Sequence, residues 1–76
     1  MKVRVLFFAQ LRDILGMPEQ SLEVGEKLTA GELANRFFHP AGRPPLLYAV
    51  NECFVGADHE LQDSDTLALM TQVSGG

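Results

Sequence analysis

The chain opens on a period-two pattern. Between Met1 and Phe8, Val3, Val5 and Phe7 fall on one side, and Lys2 and Arg4 fall on the other. Alternation of this kind, rich in Val and Phe, predicts a strand with one buried face. Leu6 and Phe8 break the rule, because they lie on the charged side. The period then changes. Leu11, Ile14 and Leu15 are spaced i, i+3, i+4, which predicts a short helical turn. Gly16 is placed to close it in the left-handed conformation, with Pro18 just beyond. Residues 19–24 alternate again, with Leu22 and Val24 inward, and predict a second strand.

The strongest local signal is Thr29-Ala30-Gly31-Glu32. It is a capping box, in which the Thr29 hydroxyl accepts from the Glu32 amide and the Glu32 carboxylate accepts from the Thr29 amide. Leu28 and Leu33 occupy the two positions of a hydrophobic staple around it. Leu33, Ala34 and Phe37 are the helix positions expected to face a core. Pro40, Gly42, Pro44 and Pro45 end the helix in a loop. Residues 46–51 and 53–55 read as strands joined by a tight turn at Asn51-Glu52. Residues 56–64 are irregular, with Leu61 as the core anchor and Asp63-Ser64-Asp65 as turn chemistry. In residues 66–71, Leu67 and Leu69 share one face and Ala68 and Met70 the other.

This order of elements predicts an α+β domain, a sheet covered on one face by a main helix. Residues 1–72 form the expected domain, and residues 73–76 an expected flexible tail ending in diglycine. At 76 residues, one small domain is all the chain can build, with little room for an internal catalytic cavity. Function is therefore expected on the surface or at an end.

Charge narrows the classes. The formal net charge of −4 argues against nucleic acid and against anionic membranes as partners. No stretch approaches the ~20 apolar residues of a membrane span, and no leader pattern opens the chain, so a cytoplasmic location is expected. A single cysteine, Cys53, permits no internal disulfide and no four-cysteine iron–sulfur cluster. Its apolar strand neighbours favour a small core hydrophobe over a nucleophile. His39, His59 and Cys53 match no zinc spacing, so no metal site is expected. Asp63 and Asp65 suit turns or caps better than a cation. No phosphate loop, catalytic triad or HExxH pattern is present.

Two features remain. The first is the Gly75-Gly76 terminus. On average glycine usage, two consecutive glycines at an end arise by chance in about 0.5% of chains. Taken alone the pair reads as a frayed tail. Yet glycine lets a backbone enter a narrow channel and leaves a terminal carboxylate unobstructed. A partner can activate such a carboxylate as an acyl-adenylate and let a sulfur nucleophile displace AMP. The second feature is a set of apolar residues on the wrong side of their strands: Phe8, Phe54 and Met70. In one sheet they would form an outward patch of the residue types enriched at interface cores. A helix over that face, or their isolation from one another, would remove the patch.

Several segments resemble one family. Phe7-Phe8-Ala9-Gln10-Leu11-Arg12-Asp13-Ile14-Leu15-Gly16 resembles the N-terminal signature of the small subunit of molybdopterin synthase, a ubiquitin-like sulfur carrier. Ala49-Val50-Asn51 and the run from Leu61 to Ala68 resemble its middle and last strand, and Val73-Ser74-Gly75-Gly76 its end. The resemblance implies a β-grasp fold with the last strand beside the first. It implies that an E1-like adenylyltransferase uses ATP to adenylate Gly76, and that a sulfur donor converts it to a thiocarboxylate. The large synthase subunit, in an expected heterotetramer, then passes the sulfur to cyclic pyranopterin monophosphate to build the dithiolene of molybdopterin. The chain itself is expected to bind no cofactor and to be non-catalytic alone. By the same resemblance Gly75 and Gly76 carry the chemistry, while Phe8, Phe54, Met70, Val73 and Ser74 contact partners.

Two segments depart from the family: the helix and following loop, Thr29 to Pro45, are somewhat short, and the stretch before the diglycine end differs. Met70-Thr71-Gln72 stands where an aromatic and a Pro-Pro pair are common, which implies a less stiff tail. Other readings stay open. They are a carrier for thiamine, cysteine or tungsten-cofactor synthesis, a modifier that conjugates Gly76 to lysines, and a plain adaptor domain.

Overall fold

Where the Val/Phe alternation predicts a strand, β1 (Lys2–Phe7) runs with a strict exposed–buried rhythm until Leu6. The computed structural model describes residues 1–39, 41 and 45–71. Among these, β1 is followed by α1 (Gln10–Leu15), β2 (Glu19–Glu23), α2 (Ala30–Ala34), β3 (Leu46–Val50), β4 (Cys53–Val55) and β5 (Thr66–Thr71). The strands form one mixed sheet in the order β2-β1-β5-β3-β4. β1 and β5 pair in parallel at its centre, and every other pairing is antiparallel. The last strand thus lies beside the first, in the β-grasp arrangement of a mixed five-stranded sheet with short helices.

One face of the sheet carries the core. Val3, Val5 and Phe7 of β1 and Leu67 and Leu69 of β5 are almost wholly buried there. They cluster with Tyr48 and Val50 from β3 and with Leu11, Leu28, Leu33, Ala34, Phe38 and Leu61 from the covering segments. Phe7 meets Phe37 and Phe38 edge to face, with ring centroids 5.0 and 6.3 Å apart, the geometry that aromatic quadrupoles favour.

α2 starts where the capping box places it. The Glu32 amide donates to Thr29 Oγ1 at 3.2 Å, and the Thr29 amide donates to Glu32 Oε1 at 2.9 Å. The next free amides of the first turn are also satisfied: Ala30 donates to the His59 carbonyl and Gly31 to the Ala57 carbonyl, at 2.9 and 2.8 Å. A Cβ at Gly31 would stand only 3.0 Å from that of Ala57, so glycine permits the close approach. These bonds pin the irregular segment after β4, together with a Leu61 amide bond to the Leu28 carbonyl. Leu61 is buried as the anchor expected of it. Beyond Ala34 the chain continues in tighter turns, with the Arg36 and Phe37 amides reaching back three residues. The main helix is therefore brief, and its extension presents both Phe37 and Phe38 to Phe7.

Cys53 corrects a reading from sequence. It is exposed. It shares the inner side of the sheet with its partner Val50, but β4 is an edge strand, and among the described residues the core cluster does not include Cys53.

Candidate functional site

The opposite face of the sheet holds the sequence-predicted patch residues. Alternation puts Leu6, Ala68 and Met70 there, and register aligns them in rows. Leu6 pairs with Ala68, Ala68 with Ala49, and Ala49 with Phe54. Met70 pairs with Leu47, and Phe8 extends the parallel ladder beside it by donating its amide to the Leu69 carbonyl at 3.2 Å. Phe8 and Phe54 are exposed, at 44% and 73%, and Met70 is partly buried. Ala49 is buried yet belongs to no inner cluster. It is covered on the outer face, between Ala68 and Phe54.

An open groove runs along this face, lined by Leu6, Phe8, Asn51, Glu52, Thr66, Ala68 and Met70. The structure thus brings Phe8 and Met70 to one concavity. Phe54 shares their face but stands outside the groove, on the edge strand. Leu6, Ala68, Asn51 and Glu52 were not singled out from sequence as site residues. For Leu6 the signal was present, since it lies on the Lys2/Arg4 side of β1. For Asn51 and Glu52 it was not, because they form a turn after β3, and Leu46–Val50 is apolar throughout, so period two cannot assign the face that turn joins.

Local structure fixes both ends of the groove. At one end Ala9 takes φ 51° and ψ −124°, a conformation that suits glycine better than alanine. The turn so formed is closed by the Leu11 amide on the Phe8 carbonyl at 3.1 Å. It ends β1 and leaves the Phe8 ring on the outer face. At the other end, Asn51 Nδ2 donates to Asp65 Oδ1 at 2.9 Å, and the Thr66 amide donates to Asn51 Oδ1 at 3.0 Å. Asp65 is buried, and its second oxygen accepts from the Gln62 amide at 2.7 Å. A buried carboxylate is tolerated when both oxygens are bonded in this way. Asp63 accepts from the Lys2 amide at 2.7 Å. Both acids therefore do turn and cap work.

On the β2 side of the same face, outside the groove lining, stands a forked ion pair. Arg4 Nε and Nη2 reach Glu19 Oε2 and Oε1 at 2.6 and 2.9 Å. The hydrogen bond with Arg4, and the charge of that guanidinium, hold the Glu19 carboxyl below its ordinary range; the same bond raises Arg4.

Among the described residues, no group of three or more His, Cys, Asp and Glu side chains is placed to hold a metal ion. No helix among them is long and apolar enough to cross a membrane. The arrangement is an open, largely apolar groove on the outer face of the sheet. β5 runs parallel to β1, so it delivers the chain at Thr71 to the end of the sheet where Phe8 and Met70 lie. Val73, Ser74, Gly75 and Gly76, the other predicted site residues, lie outside the described residues, as does the expected tail.

The chain is similar to known proteins along its length. A molybdopterin synthase sulfur carrier subunit from Drosophila melanogaster is 35% identical, over 97% of this chain and 90% of the relative. The small archaeal modifier protein 1 from Methanosarcina acetivorans superposes with a TM-score of 0.67 at 27% identity, covering 99% of this chain and 96% of that one. Subunit 1 or 2 in a complex of the two subunits of molybdopterin-converting factor from Helicobacter pylori shares the fold, with a TM-score of 0.64 at 20% identity and complete coverage of both chains. A model of the ThiS family matches residues 5–76. With that match over nearly the whole sequence, on a five-stranded β-grasp sheet, the chain belongs to the ThiS family.

Proposed function

We propose that this chain is the sulfur carrier subunit of a molybdopterin synthase. The observation that carries the reading is the full-length similarity to curated sulfur carrier subunits of that enzyme. The sheet supports it, with an apolar outer face beside the strand that leads into Gly75-Gly76. The large synthase subunit docks on this face through Phe8, Met70 and Phe54, with Val73 and Ser74 following the diglycine into its active site. An assembly of two carriers with two large subunits is the form that the family likeness leads one to expect.

The chemistry takes place at Gly76. Its carboxylate attacks the α-phosphorus of ATP held by an E1-like adenylyltransferase, and pyrophosphate leaves. A sulfide-equivalent nucleophile from a sulfur donor then attacks the acyl carbon, AMP leaves, and a thiocarboxylate remains. In the large subunit the thiocarboxylate sulfur bonds to a carbon of cyclic pyranopterin monophosphate and displaces the oxygen that carbon carries, which leaves as the opened phosphate ester at one carbon and as water at the other. Water then cleaves the acyl–sulfur bond and restores the carboxylate. The carrier holds no cofactor and catalyses nothing alone, and it works in the cytoplasm, where these partners are met.

Mass spectrometry tests the reading. Incubation with ATP, an activating enzyme and a sulfur donor is expected to add about 16 Da, one oxygen replaced by sulfur, and the loaded chain to support molybdopterin formation with the large subunit. A chain lacking Gly76 is expected to stay folded and inert. High-mass lysine conjugates in place of the thiocarboxylate would favour a modifier, the reading suggested by the archaeal likeness.

A further inference from the structure

Glu52 occupies a position that its side chain makes costly. It follows Asn51 in the hairpin between β3 and β4, and both residues have positive φ, 49° for Asn51 and 73° for Glu52. Such two-residue hairpins take Asn readily at the first position and strongly prefer Gly at the second. Glutamate there is strained, and strain retained at an exposed position points to use rather than to folding. The same side chain lines the apolar groove with Leu6, Phe8, Ala68 and Met70. Among the described residues it makes no ion pair, whereas Arg4 and Glu19, on the same face of the sheet, neutralise one another. Among the described residues, the groove therefore has an apolar floor and a negative rim at Glu52 that pairs with no cation.

From this we infer that Glu52 is a specificity residue of the groove. The large synthase subunit seats an apolar anchor on Phe8 and Met70 and places an arginine or lysine against the Glu52 carboxylate. The inference rests on the carrier reading and deepens it, by stating the chemistry of the surface that the partner must offer. Charge complementarity of this kind selects among partners and speeds encounter more than it adds affinity. The glycine that the hairpin prefers would fold better and dock worse.

Binding of the full-length chain to the large subunit tests it, measured by calorimetry at low and high salt, with melting curves alongside. Glu52→Gln keeps the backbone conformation and is expected to weaken binding roughly five- to tenfold at low salt, and to flatten the salt dependence. Glu52→Gly is expected to weaken binding equally while melting at a higher temperature than the wild type. If Glu52→Gln binds as the wild type does while Phe8→Asp does not bind, the inference fails and the docking face stands. Should Phe8→Asp also bind normally, the docking reading falls with it. A Glu52→Gly chain that melts no higher removes the strain on which the argument rests. A self-associating wild type whose dimer is lost in Glu52→Gln would assign the groove to a second copy and overturn the proposal.

Discussion

The two faces of the sheet are built from similar residues and meet different fates. On β1 and β5, Val3, Val5, Phe7, Leu67 and Leu69 point one way and are buried by α1, α2 and the turns around them. Leu6, Phe8, Ala68 and Met70 point the other way, and none of the described helices covers them. Hydrophobicity does not separate the two sets. What separates them is which face receives the crossover segments. An apolar face that the chain's own helices leave bare remains available to another molecule, and the comparison predicts opposite responses to substitution on its two sides.

The sharpest way to break that comparison is Phe7→Ala. Loss of a fully buried aromatic, with its contacts to Phe37 and Phe38, is expected to destabilise the fold by about 3–5 kcal/mol, read from chemical denaturation. Asp65→Ala comes next. It strands the Asn51 side chain and the Gln62 amide that now donate to the carboxylate, for an expected loss of about 1–3 kcal/mol. On the outer face Phe8→Asp is expected to change stability by less than about 1 kcal/mol, while removing most of the binding to the large subunit in a pull-down. A Phe8→Asp loss as large as that of Phe7→Ala would make the two faces one core and end the distinction.

The smallest effect concerns the Arg4–Glu19 ion pair. The Glu19 carboxyl lies below its ordinary range when folded, because of its hydrogen bond to Arg4. A lowered folded value contributes stability that is present above the unfolded pKa, about 4.3 for glutamate, and that fades as pH falls through the folded value. The stability difference between wild type and Glu19→Gln should therefore be constant near neutrality and close as acid is added below that range. Both side chains are well exposed, so the difference itself is expected to be small. A gap that widens in acid would contradict the assignment.

Much of this molecule was legible in one dimension. The β1 alternation, the capping box at Thr29 and Glu32, the left-handed Gly16 and the anchor Leu61 all follow from local chemistry and recur in the structure. So does the turn at Asn51-Glu52, though nothing local announced that Glu52 would line a groove. Cys53 was misplaced because its neighbours are apolar, whereas exposure at a sheet edge is decided by what fails to pack over it. The faces of β3 could not be assigned, since a strand without polar positions has no visible phase. Leu6 could have been added to the patch, for its phase was visible.

By itself, then, the sequence determined the periodic elements, their caps and turns, and the diglycine end, because each depends on residues a few positions apart. Only the tertiary structure decided that β1 and β5 lie side by side in parallel and that Leu6, Phe8, Ala68 and Met70 converge on one groove beside Glu52. Strand order and the coverage of a face depend on contacts between segments tens of residues apart, and no local pattern encodes them.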